Sequence, residues 1–524
     1  MVPYWIPFVG HVPELILTPE RLLRGARGRH RLKRSRDAYS QGVIALKIFG
    51  TTHNLVYSPS LAQSLLSQKE SVAAHHDVSW YIMKQVFGFP ARLEKEYNLA
   101  LHPILAAYQH LLKEPYLGDM LGVTVRNLEQ SIPDLVTFTS SIVDQAPWER
   151  GSDIRVLKGV DGQQTAEVSF LPLIRDFVAH TVTPSLMGSS FSDNHPTWTA
   201  DIVDLDRGFL LMAAGFPRWV PVRTITKAYL AQARLLCTIR AFHVALEKHV
   251  RGEDVGPEWR DMSDVSPIIM ARQAIYRHHG FTIEARAACE LAFLQVKEMI
   301  WAMNANAPVL IFWLVLRILS YSDHTLLSVI RAETEPYAKA FQPPRVFPVP
   351  EPPQLKIALD GLVRQDLALR ESAKDGPGMR EGFLLRRGSY AHVAHDLHNT
   401  DPSCFRKPDE WMPCRHVVVA NDQGDERAEF GIIRAYGGGR SMCKGRVFAE
   451  KECLVFAAGI LALWEFEPVG QKGWHIPAHR RATAVAAPKG DVRFHVRVKD
   501  KMSKINWCTA AGQIARDLET LMEQ

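Results

Sequence analysis

The stretch Tyr436-Gly437-Gly438-Gly439-Arg440-Ser441-Met442-Cys443-Lys444-Gly445-Arg446 decides how this chain is read. An aromatic residue leads into three glycines, then a cysteine and a further glycine. An apolar run of helical period follows (Val447, Phe448, Cys453, Leu454, Phe456, Ala457, Ile460). Glycines in series let the backbone take conformations closed to other residues and approach a flat ligand closely. The cysteine falls where the pattern predicts the start of a helix, and the positive end of a helix dipole favours a thiolate. Three readings are open on these residues alone: a thiolate ligand for a haem iron beside a glycine-walled slot, a buried structural cysteine, and a glycine-rich phosphate loop.

Composition narrows the class. A chain of 524 residues suggests about two to four domains, although large single folds also reach this length. A hydrophobic fraction of 47% with 23% charged residues describes an ordinary globular protein with ample core material. The net charge of +6 is mild for this size, and without a dense Lys/Arg run it argues against a nucleic-acid binder. Seven cysteines are scattered without a CxxC pair, which suits a reducing compartment and disfavours a zinc ribbon or a disulfide framework.

Taken from its start, the chain begins Met1-Val2-Pro3-Tyr4-Trp5-Ile6-Pro7-Phe8, with no apolar run long enough for a signal peptide or anchor helix. Residues 20–36 are rich in arginine and read as a solvated helix face or a contact with anionic headgroups. Residues 42–57 alternate like strands near the edge of a small sheet. From there to about residue 250 the period is mostly helical, with a clear amphipathic helix over 170–187 ending at Gly188. The segment 216–223 mixes aromatics with arginines between two helical stretches, and reads either as a simple interhelical loop or as a membrane-interface contact.

Residues 283–319 are apolar almost all round, and 300–316 carry no charge. Such a helix is either buried or membrane-spanning. Asn304, Asn306 and Pro308 favour a buried helix with a local kink beside a ligand, because that polar cluster would be costly in lipid. Residues 352–374 read as a further helix, stopped by Asp375-Gly376-Pro377-Gly378. His392, His395 and His398 stand at i, i+3, i+6, but the run alternates like a strand, and a metal role is the lesser reading.

The cysteine stretch resembles the haem-binding loop of the cytochrome P-450 family. Tyr436 stands for the usual Phe, Gly437 and Gly439 match the loop glycines, Cys443 the thiolate ligand, and Gly445 the glycine after it. Ser441 replaces the basic residue of many members, and Arg440 is its substitute against a haem propionate. Residues 301–308 resemble the oxygen-activating segment of the family's central helix. Asn306 and the closely following Pro308 match the branch that contains sterol 7α-hydroxylases, prostacyclin synthase and many fungal enzymes. Ala307 stands where that branch has Thr, so the hydroxyl on the oxygen side of the haem is missing. Glu371 and Lys374 occupy the places of the family's Glu-x-x-Arg pair, and Arg415 those of its third partner. Lysine pairs with Glu371 but lacks the planar fork of donors. Residues 480–488 and 492–497 resemble the last hairpin, which points Ala484 and Val485 at the substrate.

The resemblance implies a mainly α fold: a helical prism with small β-sheets and haem b between the central helix and the cysteine helix. Residues 1–20 would be a proline-rich hinge, 21–500 a single domain, and 501–524 a helical extension. It implies a monooxygenase acting on a hydrophobic small molecule, terpenoid or alkaloid-like, with electrons from NADPH through a reductase. Lys444, Arg446, Arg440 and Arg406 would form the reductase's basic footprint, or plain solvated charge. The alternatives are a rearranging haem-thiolate enzyme that needs no reductase, which Ala307 favours, and a degenerate haem-binding protein without turnover. Localisation follows the anchor: the cytoplasmic face of the endoplasmic reticulum if one lies outside this sequence, otherwise the cytoplasm.

Overall fold

A computed structural model describes residues 9–18, 21–23, 42–69, 71–108, 112–158, 163–292, 300–340, 385–399, 405–408, 410–419, 426–428, 435–439, 442–470, 473–480 and 485–499. The chain divides into two compact units, Met1–Ala74 with Asp360–Met442 and His75–Leu359 with Cys443–Gln524. The predicted helix over 352–374, the basic stretch 24–36 and the extension 501–524 lie outside the described residues.

In the first unit, β1 (Val43–Ile48) and β2 (Thr51–Val56) are the strands expected over 42–57, and they pair as a hairpin. Its two-residue turn has positive φ at both Phe49 (45°) and Gly50 (79°), the twist that tight hairpins require. The buried face carries Ile44 and Leu46, which pack with Leu22, Leu23 and Leu397. The strand Tyr390–Val393 adds to β2 in parallel. This brings His392 Nε2 within 2.9 Å of His53 Nδ1, while His53 Nε2 lies 2.8 Å from Thr51 Oγ1. Helix α1 (Pro59–Leu66) follows the hairpin.

The second unit is mainly helical. Between α2 (Tyr116–Ser131) and α3 (Phe170–Met187), β3 (Arg155–Lys158) and β4 (Gln164–Ser169) form a hairpin inside the span read as mostly helical. Helix α3 has the predicted bounds and ends at Gly188 with φ 80°. It is not amphipathic, however. Phe177, Val178, Ala179 and Val182 are all buried, because several helices surround it. Helices α4 (Trp198–Ala213) and α5 (Arg223–Val250) pack so closely that a Cβ on Gly208 would stand 2.3 Å from that of Ala228. Helix α6 (Pro267–His278) comes next.

The central apolar run is not one helix. Helix α7 (Ile283–Leu291) ends at Ala292, whose ψ of 162° is extended. Residues 293–299 lie outside the described residues, and α8 (Ile300–Ala305) and α9 (Ala307–Leu319) are separated by Asn306 at φ −108°, ψ −66°. The break falls where Pro308 demands it. Proline donates no N–H, and its ring would crowd the carbonyl four residues earlier, that of Asn304. The run Ile300–Leu319 is long and apolar enough to cross a membrane, yet 78% of it is buried inside the fold. Interior packing therefore accounts for its composition.

Helix α10 (His324–Ala340) and α9 both pack on α11 (Arg446–Leu463). Strand β5 (Trp464–Pro468) continues directly from α11, and Trp464 Nε1 donates to the carbonyl of Ile132 at 2.9 Å. A short pair, β6 (His479–Arg480) and β7 (Ala487–Pro488), is the expected hairpin around 480–488. The segment around 492–497 is not its partner. As β8 (Arg493–Val498) it joins the four-stranded sheet β3-β4-β8-β5. Phe170 seals that sheet to α9, with its ring centroid 4.8 Å from Phe494, 5.3 Å from Phe466 and 5.5 Å from Phe312.

One ion pair is wholly internal. Arg272 on α6 donates from Nε to Glu290 on α7 at 2.9 Å, from Nη1 to the Tyr108 hydroxyl at 2.9 Å, and from Nη2 to the Cys289 carbonyl at 3.1 Å. The two charged side chains are 2% and 0% exposed. Removing one partner strands a buried charge, whereas removing both need not. Arg272→Met should lower unfolding stability by about 3–5 kcal/mol in denaturant titration. Adding Glu290→Met should restore most of it; equal losses in the single and double variants would show that the pair itself stabilises the fold.

Candidate active site

The cysteine loop is held by backbone geometry. Gly437 and Gly439 have φ of 75° and 60°, a region that favours glycine. Gly439 is constrained twice, since a Cβ there would lie 2.2 Å from the carbonyl oxygen of Leu66. Part of the glycine requirement read as room for a flat ligand is thus met by close packing against the end of α1. Met442 N–H donates to the Gly439 carbonyl at 3.3 Å. Tyr436 is half-buried, and Arg440 and Ser441 lie outside the described residues.

Cys443 is a half-buried cysteine outside any disulfide, three residues before α11. Gly445 is the N-cap, and no side chain caps the first turn. Arg446 donates from Nη1 to the Cys443 carbonyl at 2.9 Å. One of the arginines predicted to greet a reductase therefore braces the cysteine loop itself. A Cβ on Gly445 would stand 3.9 Å from Cys443 Sγ, so glycine keeps the space beside the sulfur clear.

Helix α9 packs on α11 and carries the second predicted feature. Asn306 is half-exposed at the break, its N–H donating to Ala302 and its carbonyl accepting from Leu310. Ala307 is 5% exposed. The asparagine fixed in the interior is Asn304, whose Nδ2 donates to the Ile300 carbonyl at 2.8 Å and whose amide lies 3.3 Å from the Thr183 hydroxyl. Two turns beyond the break, Trp313 Nε1 donates to the Ala486 carbonyl at 2.7 Å, and its ring meets His479 edge-on at 4.6 Å. This ties the β6–β7 hairpin, with Val485 at its tip, to α9; Ala484 lies outside the described residues. Trp301 on α8 stacks on Phe209 of α4 at 5.0 Å, and Phe87 meets both rings edge-on.

Of the predicted three-residue network, only Arg415 is described. Its guanidinium donates to the carbonyls of Arg406 (2.5 Å), Lys407 (3.0 Å) and Glu410 (2.7 Å), so it locks its own loop. Glu371 and Lys374 fall outside the described residues.

Sequence reasoning missed Trp313 as an anchor, and it missed Glu452. The Glu452 carboxyl lies within α11 at 1% exposure, with Oε1 lacking any hydrogen-bond partner. Burial raises its pKa to about 8. The available signal was an acid inside the apolar run that follows the cysteine.

No protein-family profile matches the chain. A cytochrome P450 monooxygenase, efuG, of Hormonema carpetanum is 22% identical over 516 residues, covering 89% of this chain and 84% of that protein. The 25-hydroxycholesterol 7-alpha-hydroxylase of Rattus norvegicus is 22% identical over 260 residues, 45% of this chain and 59% of that protein. A cytochrome P450 monooxygenase, hepE, of Aspergillus oryzae is 28% identical over 123 residues, 21% of this chain and 22% of that protein. With the mainly helical fold and its small sheets, these likenesses support the cytochrome P450 family of oxidoreductases for this chain. Membership implies a haem iron with a thiolate ligand, electrons supplied by a reductase, and a small-molecule substrate.

Glu452 sets a pH dependence. Its folded pKa, about 8, lies above the ordinary value of 4.5, so the proton favours the folded state. That contribution is fully present below the ordinary value, and it falls by about 1.4 kcal/mol per pH unit until pH passes the folded pKa. Glu452→Gln removes the ionisation, so its thermal unfolding midpoint should exceed that of the wild type at pH 8.5 and approach it at pH 5. Parallel pH profiles for the two proteins would contradict a neutral buried acid.

Proposed function

We propose that this chain is a haem-thiolate monooxygenase of a hydrophobic small molecule in secondary metabolism, with Cys443 as the iron ligand. The observation that carries the reading is the placement of Cys443: half-buried, outside any disulfide, and three residues before a helix whose first turn has no side-chain cap. The residues present fit haem. A polarisable sulfur sits at the positive end of an 18-residue helix dipole, and Gly445 leaves the space beside it clear. Bound haem would supply the oxidising chemistry, with electrons from NADPH through a reductase.

The chain's own residues then divide the remaining work. Tyr436, Gly437, Gly439 and Gly445 shape the cysteine loop, and Arg440 offers a cation to a propionate. Glu371, Lys374 and Arg415 brace the surrounding segments. Asn306 at the α8–α9 break is the polar side chain that would orient a proton-carrying water, and Ala307 offers no hydroxyl for that purpose. Ala484 and Val485 contact substrate from a hairpin positioned by Trp313. Contact with a membrane surface would use Trp219, which is 81% exposed between Arg218 and Arg223.

Two measurements test this reading. Cys443→Ala should abolish the thiolate-type Soret shift of the reduced carbonyl complex; an unchanged spectrum would end the ligand assignment. Without the threonine hydroxyl, coupling should be poor, with NADPH consumed and peroxide released. Ala307→Thr should therefore raise the ratio of product formed to NADPH oxidised. Product formed by the wild type without reductase or NADPH would replace monooxygenation with a rearrangement.

A further inference from the structure

The edge strand Tyr390–Val393 hangs on one neighbour. It closes the sheet of the first unit beside β2, which among the described residues is its only ladder partner. Two side-chain contacts reinforce that pairing. Asn54 Nδ2 donates to Ser389 Oγ at 3.0 Å and to the Tyr390 carbonyl at 3.1 Å. The second contact joins His53 Nδ1 of β2 to His392 Nε2 of the edge strand across 2.9 Å.

The surroundings of His53 fix which of its nitrogens carries the proton. Thr51 Oγ1 donates to the Ile48 carbonyl at 2.6 Å, so the same oxygen accepts from His53 Nε2 at 2.8 Å. His53 is therefore a donor at Nε2 and an acceptor at Nδ1, and the bond between the rings runs from His392 Nε2–H to it. That direction decides how the pair takes up protons. A first proton goes to His392 Nδ1 and keeps the bond, as an imidazolium donating to a neutral ring. A second has only His53 Nδ1 left, the atom that accepts the bond. It would set two N–H groups and two positive charges against each other across 2.9 Å.

Among the described side chains, no carboxylate offsets that charge. Tyr390 stacks its ring on half-buried His53 at 4.7 Å. From β1, the register partner of His53 is Leu46, and Lys47 directs its ammonium to the Gly50 carbonyl. The segment 21–23 packs through Leu22 and Leu23 with Arg21 exposed, and the helix His395–Asn399 packs through Leu397. His395 is the next titratable residue along the chain, and Arg386 and Arg387 precede the strand. Burial and the neighbouring His392 hold the His53 pKa down to about 4, and burial also lowers that of His392.

We propose that the His53–His392 pair is an acid-operated latch: it holds Tyr390–Val393 to β2 while the two rings share no more than one proton, and the second proton releases the strand. The device stands apart from the haem reading. A released strand returns both imidazoles to their ordinary value of 6.5, so opening takes up a proton that the closed pair excludes. The latch is closed above that value. Below it the opening constant rises about tenfold per pH unit, until pH reaches the closed value of about 4.

Hydrogen exchange of the full-length protein, read by mass spectrometry and corrected for chemical exchange at each pH, follows the opening. Protection of amides 391–394 should fall about tenfold between pH 6 and pH 5, while that of the β3–β4 hairpin in the second unit stays constant. His392→Gln keeps a neutral N–H in place of Nε2 and takes no charge, so its protection should be equal at the two pH values. His53→Asn keeps a neutral acceptor in place of Nδ1 and should likewise remove the slope. Constant protection in the wild type, or an unaltered slope in either variant, would overturn the proposal. So would an equal loss in β3–β4, which marks general acid unfolding.

Discussion

Helix α11 is buried from Cys453 to Leu463, between α2, α9 and α10, and passes without a loop into a strand of the central sheet. A helix packed on several sides cannot rotate or slide without opening cavities along its whole length. Its first residue is therefore fixed in position, and so is the chain just before it. Cys443, three residues before the helix, takes its location from that burial. Arg446, which turns back onto the Cys443 carbonyl, adds a local brace to what the packing has already determined.

The facing helix solves a different problem. Apolar side chains on every side bury well, but an unbroken helix would present only side chains to its surroundings. At Asn306 and Pro308 the helix bends while Asn306 keeps its N–H on Ala302 and its carbonyl on Leu310, so the missing proline donor is confined to one point. The cost stays local, because Asn304 is held by the Ile300 carbonyl and the Thr183 hydroxyl just before the break. Beyond it, Trp313 carries the same rigidity to the β6–β7 hairpin.

Much of this was legible in the residues. The glycine–cysteine stretch was readable because few residue types tolerate positive φ, and the start of a helix after it follows from the apolar period. The kink at Pro308 was readable from proline's missing donor. Continuity of the central run was not, since apolar composition reports burial and says nothing of whether the backbone turns. The bounds of α3 were visible but its faces were not, because a wholly surrounded helix still shows some period. The β3–β4 hairpin escaped a reading tuned to helical spacing, although Asp161-Gly162 is a turn signal. Glu452 and the Trp313 anchor depend on which neighbours tertiary packing brings, and no local pattern encodes that.

The contact between Gly439 and the Leu66 carbonyl joins opposite ends of the chain. Contacts of such separation form late, after the intervening polypeptide has condensed, because closing a long loop costs entropy before any contact offsets it. The glycine half of the cysteine loop thus reaches its final shape only once the N-terminal hairpin and its helix have docked, at the end of synthesis. The early residues, far from the glycines in sequence, thus set when that half of the loop is completed.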